Sequence, residues 1–223
     1  DLGWKLEASL AGWGGPQLLA SYELERRPVG IRNVTEATGN LNRMLAPRVH
    51  RPPGEIFETG PAGDQARKVF GDHYTEMMRR EWFTLGIHLG YFYEGSPIIV
   101  PDGTPAPEDD VSRYIQTSRP GSRAPHAWLG EDRSTLDLFG RGFVLLRFGA
   151  NPPRADRLVQ AAQRRGVPLS VVDIEHEAAS RLYERCLVLV RPDGHTAWRG
   201  DREPESALGI IDTVRGAGTV SGG

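Results

Sequence analysis

The sequence predicts a mixed α/β protein, α+β over its whole length, in which a helical N-terminal part precedes an α/β domain. Three observations support this prediction. Apolar residues recur at helical spacing up to position 83, strand-like apolar runs alternate with helical segments after position 126, and a stretch rich in proline and glycine lies between them. We therefore predict a helical segment with a following strand at 1–100, a connection at 101–125 and a domain at 126–218.

The composition is typical of a globular protein and argues against several classes of function. A net charge of −2 gives no basic excess for binding nucleic acid. No apolar run approaches the roughly 20 residues of a membrane span, and the first residues show no signal-peptide pattern. Because Cys186 is the only cysteine, an internal disulfide framework and a cysteine-based zinc site are excluded. We therefore expect a reducing, cytoplasmic setting.

Two helices are predicted in the N-terminal part. Leucines recur every four residues from position 2 to position 10, and the glycines and proline at 14–16 end this first helix. The apolar residues of 17–44 predict a second helix, with a kink or break near Arg27 because Pro28 lies inside the pattern. Its final part, residues 38–42, is poor in helix-forming residues and is expected to be its least stable part.

Three further segments lead to the second half of the chain. Residues 46–61 are rich in proline and glycine and predict a linker, and the apolar spacing of 63–83 predicts a third helix. Residues 86–100 contain many β-forming side chains and predict extended chain. Residues 101–125 predict a long surface connection, and we place the domain boundary there.

From position 126 onward, short strands alternate with helices. Strands are predicted at 127–129, 135–139, 143–148 and 169–174, a hairpin joins 186–190 to 196–199, and helices are predicted at 153–165, 177–183 and 204–215. The turn of the hairpin is Pro192-Asp193-Gly194. The resulting order, β-α-β-α-β-β-α, is that of a thioredoxin-like domain.

The thioredoxin-like domain is predicted to lack redox activity. A redox enzyme of this fold needs a nucleophilic cysteine at the N-terminus of the helix that follows the first central strand. That junction is 149–154 in this sequence, and it contains no cysteine. Cys186 instead begins a predicted core strand, where a cysteine acts as a small hydrophobic residue. The role predicted for the domain is packing, dimerisation or support.

Other sequence motifs assign no chemistry. The six histidines do not have the spacing of a metal site, and His195, which follows the hairpin turn, is predicted to lie at the surface. No P-loop, nucleophile elbow or Gly-x-Gly-x-x-Gly pattern is present. The motifs therefore identify no catalytic residue, no cofactor-binding residue and no metal ligand.

The end of the third helix carries the most suggestive cluster of side chains. Arg79, Arg80 and Glu81 are followed by Trp82 and Phe83. In a structural interpretation, the cations complement the helix dipole and the aromatic pair fills a core. In a functional interpretation, Glu81 or an arginine orients the polar edge of an aromatic ligand while an aromatic side chain packs nearby. The residue chemistry leaves both interpretations open.

Several strings along the chain occur in the order that they have in one enzyme family. They lie at 1–6, 21–23, 25–29, 86–91, 94–97, 119–121, 123–126, 128–129, 136–140, 143–146, 182–185, 190–195 and 197–201. With these strings the chain resembles the FAD-dependent aromatic hydroxylases, the class A flavoprotein monooxygenases of the phenol hydroxylase type. The strings at 182–185 and 190–201 are especially similar to actinomycete natural-product members of the family.

The resemblance covers essentially the whole chain but only the rear of such enzymes. The family's Gly-x-Gly-x-x-Gly, Asp-Gly and Gly-Asp motifs, which bind FAD, have no counterpart in this sequence. The resemblance therefore implies the C-terminal portion of a monooxygenase that uses FAD and NAD(P)H to hydroxylate an aromatic or polyketide natural product. It also implies that this chain alone holds no flavin and is inactive.

The resemblance also implies where a substrate binds. Glu81 is the expected substrate contact, and Thr38, Leu41 and Met44 are expected to form part of a lid over an aromatic substrate. The implied partners are the N-terminal FAD-binding portion of the same enzyme and a small aromatic substrate, with a homodimer as a further option. Neither nucleic acid nor a membrane is expected.

Two other functions remain open. The chain could be a non-catalytic thioredoxin-like interaction or dimerisation module with a helical extension, or a stand-alone oligomerisation domain. The flavoprotein interpretation makes a distinct prediction for the first helix. Its face around Leu2, Trp4 and Leu6 should lean against the FAD-binding portion, so residues of this chain should leave that face uncovered.

Overall fold

The computed structural model describes residues 1–45 and 51–218. These residues form α1 (Leu2–Leu10), α2 (Ala20–Leu45), α3 (Pro61–Trp82), α4 (Leu85–Leu89), β1 (Phe143–Phe148), α5 (Asp156–Arg165), β2 (Leu169–Ile174), α6 (Glu177–Tyr183), β3 (Leu187–Val190), β4 (Thr196–Gly200) and α7 (Ala207–Val214). Short 3-10 turns occur at Gly54–Phe57 and Thr135–Leu138. The first part of the predicted linker, residues 46–50, lies outside the described residues.

The four strands form one mixed sheet in the order β2-β1-β3-β4. Strands β1 and β2 are parallel and are joined through α5, whereas β3 runs antiparallel to both β1 and β4. Gly166 ends α5 in a left-handed conformation, which suits a residue without a side chain. The order β1-α5-β2-α6-β3-β4-α7 confirms the element order predicted from 143 onward.

The two faces of the sheet carry separate cores, and the N-terminal helix takes part in one of them. Successive residues of β1 point to opposite faces. Phe143 and Leu145 pack in a core shared with α1, α5 and α7. Val144 and Leu146 pack in a second core with Tyr183 of α6. Helix α1 is therefore packed against the α/β domain, while the division into 1–100, 101–125 and 126–218 stays a prediction.

Only part of the α1 face that was predicted to be uncovered is exposed. Leu2 and Leu6 are 40% and 44% exposed, which agrees with an uncovered face. Trp4 is only 8% exposed, so the prediction for this residue is wrong. Its ring stacks on Trp13 at 6.3 Å between centroids and meets the edge of Phe143 at 5.9 Å. The chain's own aromatic residues thus cover Trp4.

A buried ionic network joins α1, α2 and the hairpin formed by β3 and β4. It consists of Lys5, Glu25, Arg191 and Asp193, and we call it the Glu25 network. Lys5 Nζ donates to Glu25 Oε2 at 2.6 Å, and Arg191 donates to both oxygens of Glu25 at 2.6 and 3.0 Å. Arg191 also donates to Asp193 at 2.6 Å, and the Ser96 hydroxyl donates to Glu25 at 2.6 Å. Three distant parts of the sequence therefore meet at one carboxylate.

The network keeps its acidic groups ionised although they are buried. Burial by itself raises the pKa of Glu25, but the charges of Arg191 and Lys5 and their hydrogen bonds outweigh it and leave the pKa below its ordinary value. Burial lowers the pKa of Lys5, and the attraction of Glu25 offsets only part of that effect. The pKa of Asp193 is held well below its ordinary value, because the charge of Arg191 and its hydrogen bond outweigh the effect of burial.

His195 is buried, so the prediction of a surface position is wrong. The residue is 2% exposed, and its ring lies 4.4 Å from the ring of Tyr93 between centroids. The cause is tertiary. Residues 122–124 pair with the hairpin, where Ala124 N–H donates to the Gly194 carbonyl at 2.9 Å, and they cover its turn.

The segment at 86–100 is not the predicted extended chain. Its first part belongs to α4, and the rest is irregular apart from an isolated bridge between Phe92 and Ser122. The β-forming side chains of this segment serve tertiary contacts instead. Arg191 lies 5.1 Å from the Tyr93 ring centroid, and Arg26 lies 5.1 Å from that of Tyr91. Packing thus overrides the local β preference.

The two short strands predicted before β1 are also absent from the described structure. At 127–129 only an isolated bridge between Trp128 and Ser134 forms. Residues 135–139 contain a 3-10 turn. The Ser134 hydroxyl accepts from the backbone N–H of Leu136 at 3.2 Å, and the backbone N–H of Ser134 donates to the Asp137 carboxylate at 2.7 Å. This capping box closes the turn and leaves no strand edge for pairing.

Helix α2 turns a polar face toward the rest of the chain. Its more buried positions, spaced three or four residues apart, include Ser21, Glu25, Val29, Arg32 and Glu36. Its exposed apolar side chains are Leu24, Ile31, Val34, Leu41, Met44 and Leu45. The helix runs through Pro28 without ending, so the predicted break is not found. None of the helices in the described ranges is long and apolar enough to cross a membrane.

Replacing Glu25 by glutamine is expected to destabilise the fold, because Lys5 and Arg191 would stay buried without their shared carboxylate. Removing one partner of a buried ion pair costs about 3–5 kcal/mol. Urea unfolding should show a loss of this order. Glu23→Gln is the control, since Glu23 is 76% exposed on the same helix and lies 3.8 Å from Arg27, an ion pair worth less than about 1 kcal/mol. Equal losses in both variants would contradict the importance of the network.

Candidate functional site

A groove of about 390 Å³ lies between the second half of α2, the end of α3, and α4. We call it the α2–α4 groove. Its lining residues are Asn33, Glu36, Ala37, Asn40, Leu41, Met44, Arg80, Glu81, Thr84, Ile87, His88 and Val111. Three of the four residues predicted to bind substrate, Leu41, Met44 and Glu81, are therefore brought together. The fourth, Thr38, is exposed on α2 and is not part of the lining.

The groove has an apolar wall and a polar edge. Leu41 and Met44 of α2 oppose Ile87 of α4, with Val111 beside them. The carboxylate of Glu81 has no hydrogen-bond or ion-pair partner within residues 1–45 and 51–218. Such a groove can hold a flat apolar molecule and accept a hydrogen bond from its polar edge.

Gly86 fixes the floor of the groove. It lies so close to residues 110–113 that a Cβ atom there would overlap the carbonyl oxygen of Asp110 and lie 2.7 Å from that of Arg113. The backbone N–H of Ile87 donates to the Val111 carbonyl at 3.2 Å. Only glycine allows this approach, so Gly86 decides how near Val111 lies to α4.

Arg32 clamps the same floor to α2. Its Nε donates to the two carboxylate oxygens of Asp109 at 2.9 and 3.1 Å, and its Nη2 donates to the Gly86 carbonyl at 3.3 Å. Its Nη1 is buried without a hydrogen-bond partner among the described residues. The guanidinium thus holds α2, α4 and the following loop at fixed distances. The sequence analysis missed this clamp, since Arg32 and Asp109 are 77 positions apart.

The described residues offer the groove no metal site. No cluster of three or more histidine, cysteine or acidic side chains suited to a metal ion occurs in the described part of the chain. Cys186 is a half-buried free thiol whose backbone N–H donates to Asp201 at 3.2 Å. It is far in sequence from the junction at 149–154, where a redox cysteine of this fold would lie. What the groove can do is bind and position a ligand.

Gly86→Ala is expected to destabilise the protein, because the new methyl group must displace the backbone of Asp110. Overpacking of this kind costs roughly 1–3 kcal/mol. Gly71→Ala in α3 is the matched control, since nothing lies within 4 Å of a Cβ at that position. It should be neutral or stabilising by up to about 1 kcal/mol. Urea midpoints of both variants test this, and an equally stable Gly86→Ala protein would refute the close approach.

Comparisons with known proteins point to one enzyme family. Residues 117–216 match the family model described as aromatic-ring hydroxylase, C-terminal. The chain is 36% identical to the FAD-dependent monooxygenase apdD of Emericella nidulans over 97% of this chain and 36% of that protein. It is 34% identical to a 4-methyl-5-nitrocatechol 5-monooxygenase of Burkholderia over 93% of this chain and 37% of that protein. The chain thus spans less than half the length of these relatives.

Solved structures give the same picture. The rebeccamycin biosynthetic enzyme RebC with reduced flavin is 46% identical, with a TM-score of 0.85 over 98% of this chain and 40% of that chain. The flavin-dependent monooxygenase PieE, in complex with FAD and substrate, is 31% identical, with a TM-score of 0.81 over 98% of this chain and 43% of that chain. Both comparisons cover the N-terminal helices as well as the α/β domain.

Proposed function

The chain belongs to the aromatic-ring hydroxylases as a C-terminal portion, and on this premise we propose that the intact protein is an FAD- and NAD(P)H-dependent monooxygenase. Its substrate is an aromatic or polyketide natural product. The observation that carries this proposal is the α2–α4 groove, where Leu41, Met44 and Glu81 converge. Relatives described as monooxygenases of phenols and polyketides support the reaction class.

This chain provides the substrate side of the enzyme and leaves FAD to the rest of the protein. The backbone of Gly216 occupies the space beside Gly15, and the backbone of Asp110 occupies the space beside Gly86. At these two positions the chain therefore has no room for the diphosphate of FAD. When FAD is bound elsewhere in the intact enzyme, it supplies the oxygen-transfer chemistry. The groove binds and orients the aromatic ring and excludes water from it.

The second half of α2 acts as a lid over the substrate. Leu41 and Met44 are 53% and 45% exposed although they line the groove, and Thr38 lies on the solvent side. A bound aromatic ring would cover these side chains and order the helix end around it. Thr38 belongs to the lid through its place on the helix and not through a contact with the ligand.

The exposed apolar stripe of α2 packs against the FAD-binding portion of the same enzyme. Ile31 and Val34 are 59% and 67% exposed in this chain, and an apolar patch of this kind marks a contact surface. Leu2 and Leu6 of α1 are further exposed apolar side chains that this portion covers. The α/β domain itself is a thioredoxin-like support whose order of elements matches that fold and whose chain lacks the redox cysteines.

A non-catalytic interaction module is the second candidate. The absence of a cysteine from 149–154 supports it, since a thioredoxin-like domain without that residue has no redox chemistry. The two candidates differ in what the intact protein does. Purified intact protein should be yellow with bound FAD, and an electron-rich phenol should stimulate its consumption of NAD(P)H and O₂ and yield a hydroxylated product. A colourless, inactive intact protein would favour the module.

Glu81→Gln in the intact enzyme is expected to weaken substrate binding with little loss of stability, because the exposed carboxylate has no protein partner to lose. A hydrogen bond to a charged group is worth about 1.5–3 kcal/mol, so KM should rise roughly tenfold or more. Asp72→Asn is the control, since Asp72 is an acid on the same helix that is 70% exposed and lies outside this groove. An unchanged KM, or a large fall in Tm, would return Glu81 to a structural role.

A further inference from the structure

A second groove, of about 560 Å³, lies beside the α2–α4 groove. It is formed by the end of α2, the end of α3 and the loop at 110–113, and we call it the arginine groove. Its charged lining residues are Arg43, Glu76, Arg79, Arg80, Asp110 and Arg113. Four guanidinium groups thus face a cavity large enough for a small organic ligand.

Most of these guanidinium groups keep hydrogen-bond donors unused. Arg113 is the exception, because its Nε donates to Asp110 at 2.6 Å. Arg79 lies 3.8 Å from Glu76, and Arg80 lies 3.8 Å from Glu36. These separations are too long for hydrogen bonds. The donors of Arg79 and Arg80 are therefore available to a ligand.

Arg43 and Arg79 are also held in place by uncharged groups. Arg43 donates to the side-chain oxygen of Asn40, and no carboxylate lies within ion-pair distance of it among the described residues. Arg79 lies 4.8 Å from the ring centroid of Phe83. Stacking on a ring fixes the plane of a guanidinium group and leaves its edge free. Such an edge matches the two oxygens of a carboxylate or a phosphate.

The two grooves are continuous through Arg80, which lines both. A molecule whose apolar part lies against Leu41 and Met44 can therefore place a charged group against Arg80. A second molecule in the arginine groove would meet the first at the same residue.

We propose that the arginine groove binds an oxyanion, a phosphate or a carboxylate, that belongs to one of the reacting molecules. This inference rests on the proposed function, which requires two organic reactants, a hydride donor and an aromatic compound. The phosphates of the hydride donor and a carboxylate on the aromatic compound present the same chemistry to Arg43 and Arg79. The groove therefore selects reactants that carry an anionic group.

Calorimetric titration of the chain with pyrophosphate and, separately, with benzoate tests the inference without any turnover. At least one anion should bind saturably, and Arg43→Gln and Arg79→Gln should each weaken that binding about tenfold. Arg27→Gln is the matched control, because Arg27 is an exposed arginine of α2 at 3.8 Å from Glu23 and lies outside the groove. Circular dichroism verifies that each variant is folded.

Kinetic measurements on the intact enzyme show which reactant supplies the oxyanion. A raised KM for NAD(P)H in Arg43→Gln and Arg79→Gln assigns the groove to the phosphates of the donor, whereas a raised KM for a carboxylated aromatic substrate assigns it to the substrate. Absence of saturable binding of both anions overturns the inference, as does equal weakening by Arg27→Gln. An intact protein without monooxygenase activity whose chain still binds the anion would refute the proposed function and leave the oxyanion site standing.

Discussion

The structure depends on the carboxylate of Glu25, which is fully buried and bound by two cations from opposite ends of the sequence. Ionised groups are expensive to bury, and an ion pair repays that cost only when its geometry and hydrogen bonds are complete. Here Lys5, Arg191 and the Ser96 hydroxyl complete it. Moving α1 or α2 away from the hairpin would leave at least one of these charges buried without its partner. The network thereby favours this arrangement of the helices on the sheet.

The face of α2 that contains Glu25 also contains Arg32, so the same helix face contacts both the sheet and the groove. Arg32 lies seven residues after Glu25, two helical turns further on, and it clamps Asp109 and Gly86 at the groove floor. The groove is therefore built at the far end of a helix that the Glu25 network anchors at its near end. Its lining residues come from elements that lie far apart in the sequence, and α2 is the part that sets their separation.

Helix α2 uses polar side chains for its contacts with the rest of the chain, and its apolar side chains are therefore left uncovered. A helix of a globular domain commonly buries its apolar stripe and exposes its polar one. In α2 the arrangement is reversed, since Glu25 and Arg32 face inward while Ile31, Val34 and Leu41 face outward. An apolar stripe left exposed in this way is typical of a contact surface.

Local sequence patterns by themselves determined the elements of the α/β domain from position 143 onward. Strands β1 and β2 and helix α6 occur where the apolar runs and turn residues predict them, because short-range signals end each element. The continuous apolar run of β1 is what a strand buried on both faces needs. The helical character of α2 and α3 and the pairing of Leu41 and Met44 with Glu81 in one groove also agree with the sequence. Their role in binding a substrate stays a prediction.

Only the tertiary structure decided which faces are buried and where the charges meet. Periodicity shows that a helix has an apolar stripe but not what covers it, so the flavoprotein interpretation wrongly left Trp4 uncovered. Turn residues show that a hairpin forms but not what lies above it, so His195 was assigned to the surface. The links from Glu25 to Arg191 and from Arg32 to Asp109 span 166 and 77 positions, and a pairing of charges at such distances leaves no trace in local sequence, because it depends on the chain's path through space.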